Sequence, residues 1–117
     1  MTAYIMIPKW GREHTILLDR EDYRQRKDVS WEISRHTHHN TEKFYARKNV
    51  KRNGKWKYVY LHRLIMNALP SFVVDHINGN GLDNRRENLR ITTQRENAAA
   101  HRQSHSKKCV NHPEYDL

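Results

Sequence analysis

One cysteine, Cys109, is present in 117 residues. An internal disulfide is thereby excluded, and a reducing, cytoplasmic setting is the expectation. No apolar run approaches the roughly eighteen residues that a membrane helix needs, so no membrane partner is expected. The stretch Met1-Thr2-Ala3-Tyr4-Ile5-Met6-Ile7-Pro8 lacks a charged leader and has only a very short apolar run, unlike a secretory signal. Only 36% of the residues are hydrophobic, which implies a small core and modest stability. There is no internal repeat and no low-complexity linker, and the length suits one structural domain. Acids are scarce: 13 Asp and Glu face 22 Lys and Arg, a formal charge of +9. Such an excess points to a polyanionic partner, although basicity also serves solubility.

Along the chain, Tyr4 to Pro8 and His14 to Leu18 read as strands around a turn at Trp10-Gly11. Asp19 is placed to cap a short charged helix through Asp22-Tyr23. Residues 34–42 have no apolar periodicity and read as loop. Phe44 to Val50 and Trp56 to Leu61 flank Arg52-Asn53-Gly54-Lys55, and Asn-Gly is the strongest two-residue hairpin signal. Counting outward from that turn, 51 faces 56, 49 faces 58 and 47 faces 60. One face then carries Lys48, Val50, Arg52, Lys55, Lys57 and Val59. The other carries Tyr45, Arg47, Lys51, Trp56, Tyr58 and Tyr60, with its aromatic rings expected in the core.

From Leu61 the period changes. Leu61, Leu64, Ile65, Ala68 and Leu69 form the stripe of an amphipathic helix that Pro70 is expected to end. Phe72-Val73-Val74 reads as a buried strand, Asn78-Gly79-Asn80-Gly81 as a turn cluster and Leu89-Arg90-Ile91 as the returning strand. Thr93-Gln94-Arg95-Glu96 is a capping box opening a helix over about residues 94–105. Strand, loop, strand and helix thus follow one another over 72–105. The organisation expected is an N-terminal part (1–70) with strands, a basic hairpin and a helix, a C-terminal unit (71–106), and a polar tail (107–117).

That C-terminal unit carries the chemistry. Asp75 and His76 are adjacent, Asn88 follows twelve residues after the His, and Asn97 nine after that. Mg²⁺ takes hard oxygen ligands and keeps several waters, so the Asp75 carboxylate and the Asn97 amide oxygen suit it, with phosphate oxygens completing the shell. His76, with an ordinary pKa of about 6.5, suits removal of a proton from water. Metal and base together make a phosphodiester hydrolase. In a regular strand Asp75 and His76 would point to opposite faces, so the strand must end or twist there for both to reach one phosphate.

These residues resemble the HNH, or ββα-metal, nuclease motif in the form found in homing endonucleases of phages and group I introns. Leu18-Asp19, Glu21-Asp22-Tyr23, Trp31 and Leu61-His62-Arg63-Leu64-Ile65-Met66 extend the likeness over nearly residues 4–101. The resemblance implies a small α+β fold, a mixed β-hairpin region followed by the ββα-metal unit. It implies that His76 activates water, that Asp75 binds the metal, and that Asn88 ties the loop and orients the His. Asn97 stands where many members have a His ligand, and an amide oxygen there biases the site towards Mg²⁺ (or Mn²⁺). It further implies a double-stranded DNA substrate and 5′-phosphate and 3′-hydroxyl products. One active site per chain nicks one strand; a double-strand break would need a dimer or two events.

From Lys43 to Val74 there are eight Lys or Arg and no acid. Lys48, Arg52, Lys55 and Lys57 share one face of the hairpin and can neutralise phosphates, as can Arg63; Arg85, Arg86 and Arg90 lie next to the motif. A lysine-guarded edge hairpin is the competing reading. His101, His105, Cys109 and His112 have the residue types and short spacings of a structural Zn²⁺ site, but such sites normally use cysteine pairs. A solvated tail is the favoured reading, and loop histidines His36, His38 and His39 are read in the same way. Two rival functions use the same residues: a non-catalytic DNA-binding module on a decayed scaffold, and a colicin-like nuclease toxin domain. Binding alone would need none of Asp75, His76, Asn88 and Asn97.

Overall fold

Two glycine-containing turns organise the N-terminal half. Trp10 (φ 54°) and Gly11 (φ 77°) join β1 (Thr2–Lys9) to β2 (Arg12–Asp19), and Asn53 (φ 51°) and Gly54 (φ 77°) join β4 (Thr41–Arg52) to β5 (Lys55–Tyr60). Both central positions are left-handed, which matches strand twist and favours two-residue hairpins. The register of the second hairpin is the one expected: Lys51 faces Trp56, Asn49 faces Tyr58 and Arg47 faces Tyr60. The computed structural model describes residues 1–38 and 40–96.

The protein is a small α+β domain made mostly of strands. β1, β2 and the two-residue β7 (Asp83–Asn84) form one sheet; β3 (Glu32–His38), β4 and β5 form a second; β6 (Val73–His76) pairs with β8 (Leu89–Thr92). Helices α1 (Arg20–Arg26) and α2 (Leu61–Met66) are short. β1 and β2 alternate: Ile5 faces Ile16, and Ala3 faces Leu18, on the inner side, while Tyr4 and Met6 point to solvent. Ile16, Leu18, Trp31, Ile33, Ala46, Leu61, Ile65, Val74, Leu82 and Leu89 close one core drawn from both halves of the chain. Among the described residues no helix is long and apolar enough to cross a membrane.

Three sequence expectations are corrected. Residues 34–42 are not a loop: β3 runs to His38, β4 begins at Thr41, and the turn between them includes Asn40 at φ 66°. The strand has no apolar rhythm because its contacts are made across the sheet. Arg35 lies over Trp10 at 4.5 Å and pairs with Glu42 at 3.7 Å, while His36 packs edge-on against Tyr45 at 5.3 Å. Helix α2 stops before Pro70, because Asn67 adopts a left-handed conformation (φ 51°) and the Ala68 N–H bonds the Arg63 carbonyl. Asp19 precedes α1 in the capping position but makes no side-chain cap; its carboxylate instead accepts the Arg86 backbone N–H at 3.2 Å.

The last helix opens as expected. The Thr93 N–H donates to Glu96 Oε1 (3.2 Å) and the Glu96 N–H donates to Thr93 Oγ1 (3.1 Å), a reciprocal capping box. Helical geometry covers 94–96; the remainder of the expected helix, with Asn97, lies outside the described residues.

Candidate active site

Asp75 and His76 are the last two residues of β6, opposite Arg90 and Leu89 of β8. Alternation sends the His76 ring inward, where it is buried, and leaves Asp75 half-buried at the surface. The chain then turns sharply. The Gly79 N–H donates to the His76 carbonyl at 2.9 Å, with Gly79 at φ 79°. Thus the strand ends at the motif, as the sequence demanded.

Side-chain amides hold the following loop. Asn88 Oδ1 accepts the Asn78 N–H (3.0 Å), while Asn88 Nδ2 donates to Asn78 Oδ1 and to the Asp83 carbonyl (2.9 Å each). Asn78 Oδ1 also accepts the Asn80 N–H, and Asn80 Oδ1 accepts the Leu82 N–H. Asp83 is buried and takes two 2.7 Å bonds from Arg85, and Asn78 Nδ2 adds a third. The Arg85 guanidinium, first among these, holds the Asp83 carboxyl below its ordinary value. Asn88 therefore ties the loop between the strands.

A different residue touches His76. The fully buried Asn84 offers Oδ1 to His76 Nε2 at 2.9 Å. Asn84 is fixed in turn by the N-terminal sheet, because β7 pairs parallel to β2, with Leu17 opposite Asp83 and Leu18 opposite Asn84. An acceptor at Nε2 places the imidazole hydrogen there and the lone pair on Nδ1. Burial pushes the His76 pKa down, opposed by the Asn84 bond and by Asp75 and Asp83; nearby Lys43 acts in the same direction as burial. The ring is accordingly neutral near pH 7, the form that can accept a proton.

Around it lies a nest of rings. The His62 centroid is 4.7 Å from His76, and Tyr45 is 5.9 Å from each. Tyr60 packs on His62 at 5.7 Å. His62 is buried, and burial first, then His76 and Arg63, hold its pKa well below the ordinary value. The loop is fitted closely over this nest: a Cβ on Gly81 would collide with the Phe44 carbonyl oxygen and the Tyr45 ring. At the rim, Arg90 Nη2 donates to Asp75 Oδ2 at 3.1 Å, with about half of the Arg90 side chain exposed.

The expected DNA contacts separate into two groups. Arg63 is corrected to a scaffold role: it is buried, and its guanidinium donates to the Phe72 and Leu69 carbonyls at 2.8 Å each. Arg85 is engaged by Asp83 and Glu87, and Arg86 grips the buried Asp22 through two nitrogens. Lys48 is half-buried over Trp31 at 5.9 Å. Arg52, Lys55 and Lys57 are exposed at and near the hairpin tip. The expectation that the aromatic face is all core is also corrected, since Tyr45 and Tyr60 are buried but Trp56 is 64% exposed. His36 belongs to β3 rather than a loop, while His39 and the tail residues His101, His105, Cys109 and His112 lie outside the described residues.

Sequence reasoning missed Asn84, His62, Tyr45 and Lys43. Nothing distinguishes Asn84 from four neighbouring asparagines until β7 is seen to pair with β2. His62 and Tyr45 reach the site from α2 and β4, which carry no motif spacing to His76. Among the described residues no group of three or more His, Cys, Asp or Glu is arranged to hold a metal. Asp75 nevertheless offers one hard oxygen donor beside a neutral imidazole, a donor set that fits a hydrated Mg²⁺ sharing phosphate oxygens.

No curated protein and no solved structure matches the chain. Residues 59–99, from the end of β5 through the capping box, match the family model described as HNH endonuclease, which supports a nuclease of the HNH type acting on nucleic acid.

Proposed function

We propose that the chain is a divalent-metal-dependent HNH endonuclease that hydrolyses phosphodiester bonds in double-stranded DNA and nicks one strand per active site. The observation that carries this reading is the buried His76 imidazole, held by Asn84 through Nε2 and neutral near pH 7, next to the Asp75 carboxylate. His76 Nδ1 takes a proton from water; the water oxygen adds to phosphorus, and the bond to the 3′ oxygen breaks. The result is a 5′-phosphate and, after protonation, a 3′-hydroxyl.

Asp75 would hold Mg²⁺ or Mn²⁺, with Asn97 as the second protein ligand, and the ion would neutralise the phosphate and orient it. Arg90, bridged to Asp75, is positioned to exchange that partner for a phosphate oxygen. Asn88 keeps the loop in the shape that presents both groups. Exposed cations on the β4–β5 hairpin supply phosphate contacts away from the reaction. The homing-type, phage- or intron-associated assignment rests on the sequence resemblance over residues 4–101.

Nicking of supercoiled plasmid with Mg²⁺, compared with the same protein in EDTA, tests the reading. His76→Ala should lower the cleavage rate by about two to four decades while leaving DNA affinity nearly unchanged. Wild-type nicking by the variant would remove His76 from the role of base.

A further inference from the structure

We propose that duplex DNA leaving the active site runs along the aromatic face of the β4–β5 hairpin, with Trp56 as its far contact, and not along the opposite lysine face. The identity of the partner rests on the nuclease reading; the choice of face rests on packing. Strand pairing puts Tyr45, Arg47, Asn49 and Lys51 on one side with Trp56, Tyr58 and Tyr60. This is the side turned towards His76, because Tyr45 and Tyr60 are the rings packed on the His62–His76 pair.

The other side is occupied. Ala46 and Ile33 are fully buried there, Phe44 packs on Trp10 and His14, and Lys48 lies against Trp31. A polymer seated over His76 therefore continues onto the aromatic face and is screened from the lysine face by the sheet itself.

Charge on that face suits phosphate. Lys43 stands at the near end, its Nζ 3.9 Å from where a Cβ on Gly79 would lie. Arg47 stacks on Tyr58 at 3.6 Å and pairs with Glu32 at 2.8 Å, and Lys51 sits over Trp56 at 5.8 Å. Cation and ring brace one another in each pair. Trp56 is thus an exposed indole held by a lysine, a combination that offers an apolar surface to sugar or base and a charge to the backbone. Trp56 lies four residues beyond Tyr60 along β5, roughly 13 Å at strand spacing. That distance is about four base-pair steps.

The test measures binding of a fluorescein-labelled DNA duplex to the full chain across a salt series. Lys51→Ala should lower the slope of log K against log salt by about one. Trp56→Ala should weaken binding by about tenfold through lost apolar contact with sugar or groove, with the slope unchanged, and Trp56→Phe should restore most of the loss. Lys57→Ala, on the opposite face, should do neither. All these side chains are exposed, and thermal unfolding should confirm that each variant is folded. A slope change with Lys57→Ala but not Lys51→Ala overturns the proposal. Equal small effects on both faces, or a wild-type chain without affinity for the duplex, overturn it as well. If the expected pattern appears but plasmid stays intact with Mg²⁺, the face assignment stands and the nuclease reading falls.

Discussion

Asn84→Ala removes the side chain that hydrogen-bonds His76 among the described residues, and the consequences can be worked out from the geometry. Asn84 is fully buried and its oxygen is 2.9 Å from Nε2. Without it the His76 Nε2–H is left in a site that excludes water, which costs about 1–3 kcal/mol of stability. Loss of a hydrogen-bond partner one step removed from the reacting atoms typically lowers activity by about 10–100-fold. The pH profile separates positioning from general damage. The Asn84 bond raises the His76 pKa against the lowering by burial, so Asn84→Ala should move the acid limb of the single-turnover rate to lower pH. Asn84→Asp places a carboxylate at the same spot and should move that limb to higher pH, because it favours the imidazolium. Plasmid nicking at saturating protein, followed across pH for both variants, gives the two shifts. Wild-type rates with an unmoved acid limb in both would refute the assignment of Asn84 as the residue that positions the base.

Other outcomes follow from single features. Asp75→Ala should raise the Mg²⁺ concentration needed for half-maximal cleavage, and Asn97→His should retain activity while favouring softer ions; an unchanged metal profile in both removes them as ligands. Gly81→Ala should destabilise the fold by about 1–3 kcal/mol in urea unfolding, since its methyl meets the Phe44 carbonyl and the Tyr45 ring; a wild-type midpoint would mean that the loop can move away from β4. His62, its folded pKa lowered by burial, remains neutral while the unfolded chain takes up a proton below about pH 6.5. Stability should therefore be fully present above that pH and fall on acidification by up to about 1.4 kcal/mol per pH unit for this group, with His76 acting in the same sense. A urea midpoint that stays flat from about pH 7 to about pH 5 would contradict the burial of these rings.

Features written in local chemistry were legible without coordinates. Asn53-Gly54 can close a two-residue turn only with both φ values positive, so the whole β4–β5 register followed from two residues. The capping box at Thr93 and Glu96 was legible for the same reason: both hydrogen bonds lie within one turn of chain. β3 was not legible, because its stabilisation comes from ladder pairing with β4 and from Trp10 and Tyr45, which lie outside the segment. The end of α2 shows the same limit on a smaller scale. Pro70 forbids continuation, yet the left-handed Asn67 had already stopped the helix three residues earlier.

The positive charges show most directly why a count could not stand for a surface. Arg63, Arg85 and Arg86 look in sequence like the arginines nearest the chemistry, and each is bound within the protein: Arg63 to two carbonyls, Arg85 to Asp83 and Arg86 to Asp22. Their work is to fix the helix-to-strand loop, the asparagine loop and the docking of that loop onto α1. Asp22, buried and 64 residues before Arg86, is what ties down one of those charges, whose side chain stays about half exposed. No spacing rule links the two. The +9 excess is thus spent partly on holding the base and the loop in place, and exposed cations close to the site lie along the hairpin and at Arg90. DNA affinity should accordingly depend on the hairpin far more than on the arginines of the motif. Salt-dependent binding of Arg86→Ala against Lys51→Ala decides the point: loss of Arg86 should lower thermal stability and leave the salt slope alone, whereas loss of Lys51 should do the reverse.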